Sequence, residues 1–152
     1  FLLKDQYFQI EEYFRVVDKL ANDNSDLNFI LPIHPNPNVS KHRDILQSVK
    51  VIDPVPYEEM LEMLANCKMI ISDSGGIQEE ASFFNKKVIV CRKVTERPES
   101  VGIHSFLCDN PTELEKMFYN IRDEYVINEV CPYGDGKSSK KIVDSLRRLN
   151  VI

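Results

Sequence analysis

Short apolar runs alternate along this chain with segments of helical spacing, and that alternation limits the possible folds more than any other feature. The runs "LNFILPI" (27–33), "VKVID" (49–53), "KMIIS" (68–72), "KVIVC" (87–91) and "VGIHSFL" (101–107) are predominantly apolar and too short for helices. Strands without a polar face are buried on both sides, as in a parallel sheet covered by helices. Between them, Ile10, Phe14, Val17 and Leu20 recur at helical spacing until "NDNSD", predicting an amphipathic helix that ends near Ala21. Pro56 can open a second helix carrying Met60, Leu61 and Leu64, and "GGIQEEASFF" (75–84) predicts a third. Further helices are expected from Pro111 to about Ile127 and from Lys137 to Leu149, with a weak helical segment at 41–48. Pro32, Pro35 and Pro37 predict a rigid, extended loop after the first strand. The pattern is α/β: a doubly wound, Rossmann-like parallel sheet forming one domain over residues 1–152, without internal repeat or linker.

Composition narrows the function classes. With 152 residues and 43% apolar content the chain can build a real core. Nineteen basic against 24 acidic residues, a formal charge of −5, give no footprint for nucleic acid. No apolar stretch approaches the roughly 20 residues that span a bilayer, and "FLL" at the start lacks the flank of a signal peptide. A soluble, cytoplasmic protein without a membrane partner is expected. Cys67, Cys91, Cys108 and Cys131 form no C-x-x-C pair, which suits reduced thiols rather than zinc or a disulfide framework.

In a doubly wound sheet, ligands bind beyond the carboxyl ends of the strands. "HPNPN", "SDSGG" and "RKVTERPE" each follow an apolar run, so all three can meet on one rim. A helix N-terminus offers unpaired N–H groups and partial positive charge, and Gly75 and Gly76 remove side chains that would block a phosphate. The plainer alternative is a tight turn with Ser74 or Asp73 as an ordinary N-cap. Ile77, Ala81 and Phe84 define the face toward the sheet; Glu80 lies at its edge, suited to ribose hydroxyls or to a basic neighbour, while Glu79 is expected to point away. Arg92 and Arg97 suit phosphate or a surface ion pair equally. His34 either meets a ligand or caps its loop. Gly136-Lys137-Ser138 mimics the end of an ATP-binding P-loop, but Cys131 stands where that motif needs Gly, so a turn leading into a capped helix is expected.

Four blocks in order carry a family resemblance: "PIHPNPNV" (32–39), "DSGGIQEE" (73–80), Arg92 with "TERPE" (95–99), and "PYGDG" (132–136). Together they resemble the non-hydrolysing UDP-N-acetylglucosamine 2-epimerases. The resemblance implies the C-terminal, UDP-binding half of a glycosyltransferase-B-like two-domain enzyme, an isomerase of polysaccharide biosynthesis that interconverts UDP-GlcNAc and UDP-ManNAc. It implies no cofactor and no metal, a full-length homodimer, and catalytic residues mainly in an N-terminal half absent from this chain, leaving the isolated chain inactive. Carried over, Ser74, Gly75 and Gly76 hold the diphosphate, Glu80 the ribose hydroxyls, Arg97 sits in the cleft near the substrate, and His34 borders the sugar-nucleotide site. Met60 stands where an aromatic often stacks on uracil, and Asn85-Lys86-Lys87 replaces the usual "GKP". A hydrolysing epimerase releasing ManNAc, a glycosyltransferase of the same architecture and a non-catalytic sugar-nucleotide sensor remain alternatives.

Overall fold

The structure is a computed structural model that describes residues 9–151; the opening Phe1-Leu2-Leu3 lies outside that range. Its elements run α1 (Ile10–Asp23), β1 (Ile30–Pro32), α2 (Pro37–Ser40), β2 (Lys50–Ile52), α3 (Tyr57–Asn66), β3 (Ile70–Ser72), α4 (Gly75–Phe83), β4 (Val88–Val90), β5 (Ser105–Leu107), α5 (Pro111–Arg122) and α6 (Ser138–Arg148), with single 3₁₀ turns at Arg43–Ile45 and Pro98–Ser100. All pairings are parallel: β1 pairs with β2, and β4 lies between β3 and β5.

The central strand explains why its sequence is apolar throughout. Successive side chains of a strand point to opposite faces. Ile89 enters a cluster with Leu20 of α1 and Leu114, Phe118 and Ile121 of α5, whereas Val88 and Val90 pack with Ala81 of α4 on the other side. All three β4 residues are fully buried, each stabilising the fold by about 2 kcal/mol relative to exposure. Helices on both faces make the domain doubly wound, as the alternation of runs predicts. The β1–β2 and β3–β4–β5 ladders are separately hydrogen-bonded. Phe29, just before β1, and Ile71 of β3 share the α1–α5 cluster, with the Phe29 and Phe118 rings 5.8 Å apart, so one core joins them.

Two local expectations change, and one departure proves harmless. Pro37 does not extend the proline-rich loop but starts α2: the Asn36 side chain accepts from Asn38 N–H at 2.9 Å, and proline at N1 lacks only an N–H the helix would leave unpaired. Helix α5 stops at Arg122; Tyr125 and Val126 then turn outward while Ile127 returns to the interior. Asn85 takes φ +53 after α4, the left-handed position at which Asn is the tolerated substitute for Gly, so the altered loop still closes the helix.

Candidate functional site

The N-terminus of α4 faces the rim beyond β3. Ser74 caps the helix, its Oγ accepting from Ile77 N–H at 3.4 Å, while Ser74 N–H donates to Ser72 Oγ at 3.1 Å. Gly75 and Gly76 occupy the first two helical positions, where backbone N–H groups precede the first bond the helix can supply. Neither is among the left-handed residues; both lie within the helix, and Ser74 is its N-cap, as the plainer reading has it. The two glycines serve different purposes. A Cβ on Gly75 would lie 2.5 Å from Glu96 Oε1, whereas one on Gly76, which is exposed, would meet nothing closer than Ser74 Oγ at 3.8 Å. Gly75 therefore makes room for the protein, and Gly76 leaves the helix end open to solvent.

The loop after β4 is fastened across this helix end. Arg92 is buried and donates through Nη1 to Glu96 Oε2 at 2.9 Å. Gln78, fully buried in α4, donates through Nε2 to Ser74 O at 3.2 Å and accepts at Oε1 from the Thr95 hydroxyl at 2.8 Å. Thr95 Oγ1 in turn accepts from Arg97 N–H at 3.1 Å. The Arg97 guanidinium pairs with Glu79 through Nε, and its carbonyl accepts from the Tyr133 hydroxyl at 3.2 Å. The "TERPE" block thus reaches α4, and "PYGDG" reaches the "TERPE" block through Tyr133. A backbone N–H and the Arg92 guanidinium hold Glu96 below its ordinary carboxylate range, and Glu79 raises the Arg97 guanidinium further.

Ser74, Gly75, Gly76 and Arg97 are therefore brought together, with Glu80 one turn along the helix. Glu79, expected to point away, instead binds Arg97, because the 92–97 loop folds over that side of α4. The Glu80 carboxylate raises the pKa of the Tyr57 phenol at the start of α3. Met60 is half-buried one turn further along α3. His34 is exposed and its Nδ1 accepts from Asn36 N–H at 3.1 Å, which caps its own loop; no described contact of His34 reaches α4. Gln78, Glu96 and Tyr57 are the residues that sequence reasoning missed. The spacing of Arg92 and Glu96 is a visible signal only if the loop is known to be helical in pitch, and nothing local marks Gln78.

The P-loop look-alike is a turn. Gly134 and Gly136 take φ of +102 and +75, and Asp135, rather than Ser138, ties the start of α6 by accepting from Lys137 N–H at 3.2 Å and Lys141 Nζ at 3.0 Å. The cysteines are free; burial pushes the Cys91 and Cys108 thiols up and makes them poor nucleophiles. Among the described residues no cluster of His, Cys, Asp and Glu could hold a metal ion, and no helix is long and apolar enough to cross a membrane.

Comparison with known proteins shows the family. The family model described as UDP-N-acetylglucosamine 2-epimerase matches residues 3–147. A Campylobacter jejuni UDP-N-acetylglucosamine 2-epimerase is 35% identical over 151 residues, covering 92% of this chain and 39% of that protein. A Neisseria meningitidis UDP-N-acetylglucosamine 2-epimerase is 38% identical over 148 residues, covering 84% and 37%. Among solved structures, the S. aureus MnaA–UDP complex superposes with a TM-score of 0.83 at 32% identity, over 94% of this chain and 42% of that one. The Neisseria meningitidis UDP-GlcNAc 2-epimerase bound to UDP-GlcNAc gives 0.85 at 30%, over 97% and 43%. The chain spans about two fifths of the length of these relatives, and it belongs to the UDP-N-acetylglucosamine 2-epimerase family.

Proposed function

We propose that the N-terminus of α4 binds the diphosphate of a UDP-N-acetylhexosamine, with Glu80 on the ribose hydroxyls. The observation that carries this reading is the contrast between the glycines: Gly75 is filled by Glu96, whereas Gly76 is exposed at a capped helix end, where the first N–H groups have no acceptor within the helix. Arg97, held beside that end by Glu79, supplies a cation for the same anion. Met60 is assigned to the base and His34 to the border of the sugar-nucleotide site, on the family resemblance.

In the longer protein, the reaction supported best is interconversion of UDP-GlcNAc and UDP-ManNAc without hydrolysis, in the cytoplasm. A base removes the C2 proton, the freed pair forms the C1–C2 double bond, and the C1–O bond breaks with its electrons on UDP. Protonation of C2 from the opposite face and return of UDP to C1 complete the inversion. This chain's share is to hold UDP as a stabilised leaving anion, through α4 N–H groups and Arg97, so that it stays to re-add. The acid and base are assigned to a preceding half.

Titration of UDP into the chain by calorimetry tests the cradle. Gly76→Val and Glu80→Ala should each weaken binding at least tenfold; unchanged affinity in both overturns the assignment. Proton NMR of UDP-GlcNAc with the full-length protein tests the reaction, since free ManNAc and UDP in place of UDP-ManNAc would mark a hydrolase instead.

A further inference from the structure

The "PYGDG" block lies outside the proposed cradle, yet one of its side chains reaches the cation assigned to it. Tyr133 precedes a turn in which Gly134 takes φ +102, a left-handed position that side chains rarely adopt, and Asp135 ties that turn to α6 through Lys137 N–H and Lys141 Nζ. The half-buried Tyr133 donates its hydroxyl to Arg97 O at 3.2 Å, across 36 residues of sequence. On the other side of the same residue, Arg97 N–H donates to Thr95 Oγ1 at 3.1 Å, and Thr95 is tied to the buried Gln78 of α4. Ser100 Oγ gives the carbonyl a second, longer contact at 3.4 Å. Both polar groups of the Arg97 main chain are therefore fastened, and the Tyr133 bond comes from a segment distant in sequence.

We propose that Tyr133 is a positioning residue for the anion site, its hydroxyl fixing the Arg97 main chain so that the guanidinium starts from a set point beside the N-terminus of α4. This rests on the proposed UDP site, and it goes beyond that site by giving the "PYGDG" block a part in nucleotide binding. The reason lies in what a phosphate can compete for. The guanidinium is held by Glu79 in a pair whose side chains are 33% and 41% exposed, so an incoming anion contends with that carboxylate for the same donors. The Arg97 carbonyl is an acceptor, which a phosphate leaves alone, so the Tyr133 bond holds residue 97 with or without the ligand. A long side chain that starts from a fixed main chain loses less freedom when its end is immobilised.

The test is UDP binding by calorimetry to the full-length protein as wild type, Tyr133→Phe, Arg97→Ala and the double variant, with Gly76→Val alongside. Tyr133→Phe keeps the ring and removes only the hydroxyl, so UDP affinity should fall about two- to tenfold, the net worth of one hydrogen bond. In the Arg97→Ala background, which keeps the carbonyl but lacks the guanidinium, the same change should cost less than about twofold. Equal losses in both backgrounds would show a merely structural tyrosine and overturn the proposal. If Tyr133→Phe leaves UDP affinity intact, the Tyr133 assignment falls, and a loss in Gly76→Val then shows that the UDP site stands without it. Failure of wild type to bind UDP overturns both.

Discussion

The Glu96 carboxylate fills the space where Gly75 has no side chain: Oε1 lies 2.5 Å from the position of a Cβ, while Oε2 accepts from Arg92 Nη1 at 2.9 Å. A methyl group at 75 must shift this carboxylate, the flexible end of a side chain that is 53% exposed, and loosen its bond to the buried Arg92, whose Nε has no partner among the described residues. Gly75→Ala should therefore cost up to about 1 kcal/mol through a weakened Arg92–Glu96 pair. Gly76→Ala meets open space and gains helix propensity, so it should be neutral or stabilising by about 0.5 kcal/mol. Chemical denaturation of the two variants checks the contrast; equal effects would refute it.

Gln78 links Ser74 to Thr95 with no exposed surface. Gln78→Leu fills the same volume but strands the Thr95 hydroxyl, and a loss of about 1–3 kcal/mol is expected in urea unfolding. The loop carrying Arg97 should loosen with it, so weaker UDP binding should accompany the loss, and Thr95→Val should add to it only through the Arg97 N–H bond that Thr95 Oγ1 accepts.

Arg97 and Glu79 form a pair whose side chains are 33% and 41% exposed, and such pairs contribute less than about 1 kcal/mol. Arg97→Ala should leave the melting temperature nearly unchanged. UDP affinity should drop about 10- to 100-fold, since bonds to charged groups are worth about 1.5–3 kcal/mol. A variant that melts early yet binds normally would contradict both expectations.

His104 is fully buried and neither ring nitrogen has a partner among the described residues, though its backbone donates to Ser100 O and accepts from Val88 N–H. Burial lowers its pKa from 6.5, partly offset by the Glu129 charge. The folded protein resists a proton that the unfolded chain accepts, so stability present above pH 6.5 is lost as pH falls from there toward the lower folded value. His104→Leu should flatten that slope in thermal melts between pH 7 and 5. At pH 7 it should be neutral or stabilising by about 1 kcal/mol, because it removes unsatisfied buried nitrogens.

Much of this molecule is legible in its residues, and the exceptions have a common cause. The apolar runs specify strands buried on both faces, and the β4 sequence predicts its own burial because each side chain meets a helix. Ser74 and the glycines announce a capped, accessible helix start. Helix α5 outruns its real end on paper because Ile127 continues the apolar spacing, although it reaches the interior from an irregular segment.

Periodicity by itself determined the fold class and the place of the rim, since both follow from which residues must leave water. Tertiary structure alone decided which carboxylate is available. Glu79 and Glu80 are identical in chemistry and adjacent in sequence, yet Arg97 of the loop after β4 pairs with Glu79, while Glu80 has no cationic partner among the described residues. Such pairings depend on the approach of segments distant in sequence, and no local pattern encodes that distance.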